Sequence, residues 1–366
     1  MRVGSTTEYK EVASCSLGKG GFGVVVKARH RATGKTVAIK SLCPAAKDND
    51  VLVREAHFLD NASRGNPYVV GFHGLVRDPD TRSFRLAMEY AGPSLRAFMW
   101  KRSKRDVKRI PEATMRAFMW QLLTGARTMH RRGIVHRDIK PANVLVGTDE
   151  KTLKFCDLGL AMSLASEKKP YDRVGTPSYK APEVLMGKPD YDARVDTWSL
   201  GCVMAEMLTG NRLFDFDGED NDIDELLAIF GVLGMPDDTT WPGFRSLPTR
   251  VPWHLLRQQR HSRLGELFPE ERLSQDGFDV LEGLLTCNPD KRLTAAAALQ
   301  LPWFAPLRAA EVDAVALHRE KGLQSETMPQ PKTPKKKNVV LKIPLTIWNA
   351  LRTATRSKTH GNYYRL

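Results

Sequence analysis

The stretch His136-Arg137-Asp138-Ile139-Lys140-Pro141-Ala142-Asn143, followed by Asp157-Leu158-Gly159, decides how this chain is read. Asp138 is a carboxylate able to take the proton of an attacking hydroxyl. Lys140, two residues on, can neutralise charge on a transferred phosphoryl group. Asn143 and Asp157 each offer a hard oxygen, the ligand type that Mg²⁺ prefers. Val144-Leu145-Val146 and Leu153-Lys154-Phe155 read as two short strands around a Gly147-Thr148-Asp149-Glu150 turn. That hairpin would bring Asn143 and Asp157 together, so one metal cluster could use both. A base, a cation and two metal ligands in so short a span fit phosphoryl transfer better than a polar surface loop.

Upstream, Gly18-Lys19-Gly20-Gly21-Phe22-Gly23-Val24-Val25 matches G-x-G-x-x-G-x-V. Glycines let the backbone approach phosphates with N–H groups free to donate. Alone the pattern is weak evidence. Here Val24-Val25-Val26 continues as a strand, which argues for a flap between strands and against a dinucleotide fold, where a helix follows. Val37-Ala38-Ile39-Lys40 forms a second strand-like run, and its ammonium can pair with α- and β-phosphates. Its acidic partner should lie on the next helix, which Asp48-Asn49-Asp50 would cap and Leu52, Ala56 and Leu59 would bury. Glu55 is the residue expected to make that pair.

These residues resemble the eukaryotic protein kinases, from about Tyr9 to Phe304. The resemblance implies an α+β, bilobal fold: a small antiparallel β-rich lobe with one helix (9–88), a hinge (89–93) and a larger, mostly helical lobe (94–304). Residues 1–8 are expected to be an N-terminal extension and 305–366 a basic, partly disordered tail. Met88-Glu89-Tyr90 resembles the gatekeeper and hinge that hold adenine. Lys140 resembles the serine/threonine class. Ala181-Pro182-Glu183 closes the activation segment, and Arg292 is similar to the arginine that pairs with its glutamate, Glu183. Asp196-Thr197-Trp198-Ser199-Leu200-Gly201 resembles the start of the buried central helix. ATP and Mg²⁺ are the implied cofactors, and proteins the implied substrates.

Within that family the closest resemblance is to the cyclin-dependent kinases, carried by Asp222 to Pro236, then Trp241-Pro242-Gly243, and by Pro302-Trp303-Phe304. Several positions depart from the group. Of the cyclin signature helix only Arg54-Glu55 survives, so a cyclin stays open as a partner but is not the expectation. Gly21 and Phe22 replace the inhibitory Thr and Tyr. Tyr171 stands where the activating threonine falls. Of the three phosphate-pocket arginines, Arg54 and Arg137 match, but Met162 takes the third place. Asp172 could supply permanent negative charge instead. Val174-Gly175-Thr176 and Lys180-Ala181-Pro182-Glu183 resemble the divergent plant F-type members, associated with phosphorylating other cyclin-dependent kinases and the RNA polymerase II tail. A pseudokinase scaffold and a nuclear, nucleic-acid-associated regulator remain the alternatives.

Composition bounds the rest. A chain of 366 residues with 42% apolar and 27% charged residues has room for one two-lobed catalytic domain. No secretory leader or membrane span is expected. The five cysteines are isolated, so reduced thiols in the nucleus or cytoplasm are expected, with Cys156 read as a small core residue. The net charge of +14 gathers at Lys101-Arg102, Lys104-Arg105 and Lys108-Arg109, and in the tail. Nucleic acid is not expected, because no binding motif or aromatic interleaving accompanies these charges; a solvated face is the expectation. Gln324 to Asn338 reads as disordered, and Pro334-Lys335-Lys336-Lys337 as a candidate nuclear import signal.

Overall fold

Short apolar runs broken by turn residues build a sheet from the first quarter of the chain. The computed structural model describes residues 3–20, 23–42, 49–104, 110–166, 174–215, 221–248 and 261–310. Strands β1 (Val3–Ser5), β2 (Tyr9–Gly20), β3 (Gly23–His30), β4 (Thr36–Ser41), β5 (Phe72–Arg77) and β6 (Phe84–Glu89) form one sheet, ordered β1-β5-β6-β4-β3-β2. All its pairs are antiparallel except one. β1 runs parallel to β5, with Val3 opposite Leu75. Residues 3–5, within the 1–8 stretch expected to be an extension, therefore supply an edge strand. A capping box makes this geometry: the Ser5 side chain accepts from Thr7 N–H, and Glu8 Oε1 accepts from Ser5 N–H at 2.9 Å. It turns the chain sharply from β1 into β2.

Helix α1 (Asn49–Ser63) packs on this sheet through Leu52, Ala56, Leu59 and Ala62, the stripe anticipated from spacing plus one further turn. Two glycines are dictated by close approach. At Gly23, φ is +144° and a Cβ would lie 1.9 Å from the Ser41 carbonyl oxygen. The neighbouring strand, as well as any phosphate, thus requires this glycine. At Gly92, φ is +148° and a Cβ would lie 2.1 Å from the Val146 carbonyl oxygen. The hinge therefore presses directly on the hairpin that carries the metal-ligand candidates.

Beyond the hinge come α2 (Leu95–Ser103) and α3 (Glu112–Arg131). Pro111 precedes α3, and Gly133, at φ +70°, follows its end. Its Met115, Phe118, Met119, Leu122 and Ala126 are buried, as their spacing predicts. Small pairs follow: β7 (Ile134–Val135) with β10 (Met162–Ser163), and β8 (Val144–Val146) with β9 (Leu153–Phe155). Then come α4 (Pro182–Leu185), α5 (Arg194–Thr209), α6 (Asp222–Leu233), α7 (Leu264–Leu267), α8 (Gln275–Leu284) and α9 (Ala295–Ala298). Every residue of α5 from Val195 to Leu208 is buried. The apolar all-round pattern of that segment is thus a core helix, contacted by α3 and α8. Of the expected tail, residues 305–310 are described; 311–366, with the candidate import signal, lie outside the described residues. No helix among the described residues is long and apolar enough to cross a membrane.

One polar knot ties the start of α3 to the far end of the large lobe. Glu112 accepts from Ser274 Oγ at 2.5 Å, Ser274 N–H at 3.1 Å and Trp303 Nε1 at 2.7 Å. Burial pushes the Glu112 carboxyl up, but these donors outweigh it and hold the group below the usual carboxylate range. A depressed folded pKa contributes stability that is present above the unfolded value and lost as pH falls through the folded one. Glu112→Gln is expected to cost about 1–2 kcal/mol at pH 7. The gap from wild type should narrow as pH falls below the ordinary glutamate range and close once the folded carboxyl is protonated. Urea melts at neutral and acid pH measure it, and a pH-independent gap would refute the ionic contribution.

Candidate active site

The catalytic stretch sits in a short loop that cannot hold itself, so its geometry is imposed from below. Asp196, at the first turn of α5, is fully buried and accepts from His136 N–H and Arg137 N–H, both at 2.9 Å. His130 Nε2 adds a bond at 2.8 Å. Burial disfavours its ionisation, yet the His130 bond, the two nearby imidazoles and the His136 N–H keep its pKa lowered. A fixed negative charge thus bolts the loop to the core helix. Arg137 stands at φ +67° and Asp157 at φ +61°, two non-glycine residues in the left-handed region. Such backbone is held only where neighbours over-determine it. His136 supplies a second tie: Asp138 N–H donates to its Nδ1 at 3.3 Å, so its Nε2 is the donor to the Cys156 carbonyl at 3.1 Å. The loop bearing Asp138 is thereby linked to the strand end bearing Asp157.

The anticipated hairpin is present, with Val144 opposite Phe155 and Val146 opposite Leu153. Cys156 N–H donates to the Asn143 carbonyl at 3.0 Å, which brings Asn143 next to Asp157 in space. Asn143 Nδ2 donates to the Asp138 carbonyl at 2.9 Å and to Asp138 Oδ2 at 2.8 Å. Its amide oxygen is left for another ligand. Lys140 Nζ lies 3.0 Å from Asp138 Oδ2. Thr176 joins this cluster from the activation segment: its Oγ1 donates to Asp138 Oδ1 at 2.6 Å and accepts from Lys140 Nζ at 2.5 Å. The sequence places Thr176 in the activation segment through the Val174-Gly175-Thr176 resemblance, but nothing in local pattern marks it as a partner 38 residues from Asp138.

On the opposite wall, Lys40 Nζ is 2.8 Å from both Glu55 oxygens and 2.8 Å from Asp157 Oδ1. Burial works against this ammonium, but the two carboxylates more than compensate and raise its pKa, so Lys40 is charged throughout. Burial likewise opposes ionisation of Asp157, and Lys40 overrides it and keeps that pKa lowered. The expected Lys40–Glu55 pair is therefore made, and Asp157 completes it.

A cleft of about 740 Å³ runs between these walls. Gly18, Gly23 and Val25 line it from the glycine-rich flap, and Glu89 and Tyr90 from the hinge. Lys19 and Gly20 are in β2, paired with Val24 and Gly23; Gly21 and Phe22 lie outside the described residues. Val24 and Val26, also expected at the nucleotide, do not line the cleft. A strand alternates sides, and Val26 packs instead on the separate Ala28-Val37-Ile39 cluster. The Glu89 carboxylate faces away from the nucleotide side, accepting from Gly71 N–H and Lys154 Nζ, both at 2.9 Å. Ala38, Met88, Ala91 and Leu145 give the cleft apolar surface for a flat base, and Ala91 was not anticipated. Cys156, read as core, is half-buried and lines the floor.

The donor set fits a magnesium nucleotide. No group of three His, Cys, Asp or Glu side chains able to hold a metal exists among the described residues. Asn143 and Asp157 alone would leave most of an octahedral shell to phosphate and water, which is the habit of Mg²⁺. Tyr171 and Asp172 lie outside the described residues. Met162 is buried in β10 opposite Val135 and offers no charge. Arg54 donates to the Ala161 carbonyl at 2.9 Å and Arg137 to the Leu160 carbonyl at 2.7 Å. Both arginines thus grip the segment just after Asp157. Downstream, Arg292 and Glu183 form the anticipated fork at 2.6 and 2.7 Å.

Comparison with known proteins agrees with this geometry. Residues 12–304 match the family model described as protein kinase domain. Cyclin-dependent kinase F-2 of Oryza sativa subsp. japonica is 44% identical over 79% of this chain and 88% of its own. Cyclin-dependent kinase B2-1 from the same plant is 35% identical, covering 82% and 94%. Its Arabidopsis thaliana namesake is 36% identical, covering 79% and 91%.

Proposed function

Since the chain belongs to the protein kinase family, as a cyclin-dependent kinase-like serine/threonine kinase, we propose that it transfers the γ-phosphate of ATP, as its Mg²⁺ complex, to Ser or Thr hydroxyls of proteins through the cleft described above. One observation carries this reading: Lys40 bridges Glu55 and Asp157 while Asp138, Lys140 and Asn143 are mutually bonded. A scaffold with no chemistry has no need of that arrangement.

The flap, with Gly18 and Gly23, covers the phosphates, and Lys40 neutralises them, oriented by Glu55. Asn143 and Asp157 hold the metal, which supplies charge stabilisation at the transferred group. Asp138 orients the acceptor hydroxyl and takes its proton. Lys140, already 3.0 Å from that carboxylate, steadies developing negative charge. Thr176 keeps base and lysine in register until substrate arrives.

The catalytic domain is taken as residues 9–304, with the β1 edge attached and 305–366 appended. Other cyclin-dependent kinases and the RNA polymerase II tail are the proposed substrates, supported by the F-type resemblance around Thr176 and Lys180. Glu55 reaches Lys40 within this chain alone, which supports activity without a cyclin. The lysine run at 335–337 supports the nucleus, alongside the cytoplasm, as the place of action. The test is a Ser/Thr peptide library with purified protein and MgATP, scored with and without candidate cyclins. Transfer to Ser or Thr without cyclin is the expected result. No transfer under any condition would favour the scaffold reading.

A further inference from the structure

The cleft carries charge that the phosphotransfer machinery leaves unused. Lys40, Glu55, Asp157, Asp138 and Lys140 are all engaged with one another, and Glu89 with Lys154. Two further cations line the same cleft, Arg96 at the start of α2 and Arg212 just after α5. Both are exposed. Neither makes a hydrogen bond or ion pair among the described residues. The carboxylate whose field they share is Glu206, which is buried and already accepts from Tyr179 Oη at 2.5 Å. Across the activation segment the situation is reversed. Lys180 is held by Glu225 at 2.8 Å and Asp222 at 3.6 Å, so its charge is consumed. One end of the substrate side is therefore open and positive.

That positive surface continues outward along α2. The helix contains Arg96, Lys101 and Arg102 with no carboxylate, and Lys104 follows as its cap. Arg96, Trp100, Lys101 and Lys104 are exposed at helical spacing, so they share one side of the helix. Trp100 is 65% exposed, the largest such value among the exposed large apolar residues described, and Lys104 Nζ sits 4.9 Å from its ring centre. The basic cluster read from sequence as a plain solvated face thus has an aromatic within it. An exposed Trp among cations is an anchor pattern, since it supplies contact area beside the charges.

We propose that Arg96, Arg212 and the Trp100-Lys101-Lys104 face of α2 form a docking track for an acidic segment of the protein substrate, next to its phosphoacceptor residue. The proposal rests on the kinase reading and narrows its substrate class. Charge complementarity selects the occupant. Continuity with the catalytic cleft selects a protein segment over a nucleic acid, because the acceptor hydroxyl belongs to a protein.

Two experiments separate this proposal from the kinase reading. In the first, a peptide with one Ser among alanines is compared with versions bearing three Glu or three Lys on either side. The kcat/KM ratio of the better Glu peptide to its Lys counterpart should be about tenfold, as two exposed charge pairs allow. Arg96→Glu with Arg212→Glu should invert that ratio, and Lys101→Glu with Lys104→Glu should reduce it. In the second, fluorescein-labelled Glu peptide is titrated with the full chain and followed by anisotropy, which needs no turnover. Binding should weaken steeply with salt and vanish in the Arg96/Arg212 double reversal. A ratio within twofold in the wild type, or one unmoved by the reversals, overturns the proposal. So does tighter binding of a single-stranded oligonucleotide at the same residues. Absent turnover of every peptide would defeat the kinase reading alone, while anisotropy still decides the docking track.

Discussion

Asp157→Ala is expected to abolish Mg²⁺-dependent phosphotransfer, and Asp138→Asn to lower turnover by at least about a hundredfold. The two losses have different origins. Asp157 is the carboxylate that stands between Lys40 and the metal position, with Oδ1 committed to the ammonium at 2.8 Å. Its removal leaves Lys40 still paired with Glu55, so the cleft should keep its shape and lose its ion. Asp138 receives donors from Thr176, Asn143 and Lys140. An amide there cannot take a proton, and its NH₂ would face the Asn143 and Lys140 donors. ATP should still bind the Asp138 variant. Single-turnover assays at saturating MgATP, with thermal melts to verify folding, measure both effects. Near-normal rates in both variants would remove the assignment of base and metal ligand together.

The parts of this site that were legible in sequence share a cause: each is a side chain whose type and spacing are fixed by local geometry. The Val144–Val146 and Leu153–Phe155 hairpin follows from two apolar triplets and a turn, and it brings Asn143 to Asp157. The Lys40–Glu55 pair follows from a strand and a striped helix. The buried α5 follows from an apolar pattern on all sides. What escaped reading is decided by tertiary choice. Alternation along β3 sends Val25 into the cleft and Val26 out of it, and a continuous valine run carries no mark of which is which. Asp196 was visible as the start of a core helix, but not as the acceptor that fixes His136 and Arg137. Thr176 approaches Asp138 only because the activation segment folds back. β1 joins β5 because a capping box turns the chain, and three residues are too few to show a period. Arg96 and Arg212 are distant in sequence, and only the cleft makes them neighbours.

Arg292→Ala is expected to destabilise the protein by about 3–5 kcal/mol, the range for stripping one partner from a buried ion pair. Arg292 is 2% exposed and Glu183 1% exposed. All five guanidinium N–H donors are used. Nη1 and Nη2 grip the two Glu183 oxygens at 2.6 and 2.7 Å, and each also donates to a carbonyl, of Arg194 and Cys287 respectively, at 3.0 Å. Nε donates to the Thr286 carbonyl at 2.8 Å. The Trp198 ring lies 5.0 Å away. Alanine would therefore strand a buried carboxylate and take the donor from three carbonyls. Arg292→Lys should fare little better, since an ammonium cannot reproduce the planar fork. Joint replacement by Glu183→Leu and Arg292→Met should recover part of the loss, because it removes the stranded charge. Recovery stays partial because the three carbonyls still lack donors. Glu183 lies in the first turn of α4, three residues after Lys180, so loosening this clamp should also slacken Thr176 against Asp138 and depress turnover. Urea denaturation followed by tryptophan fluorescence decides the matter. If Arg292→Ala unfolds within about 0.5 kcal/mol of the wild type, the range of an ordinary surface substitution, the fork carries no structural weight.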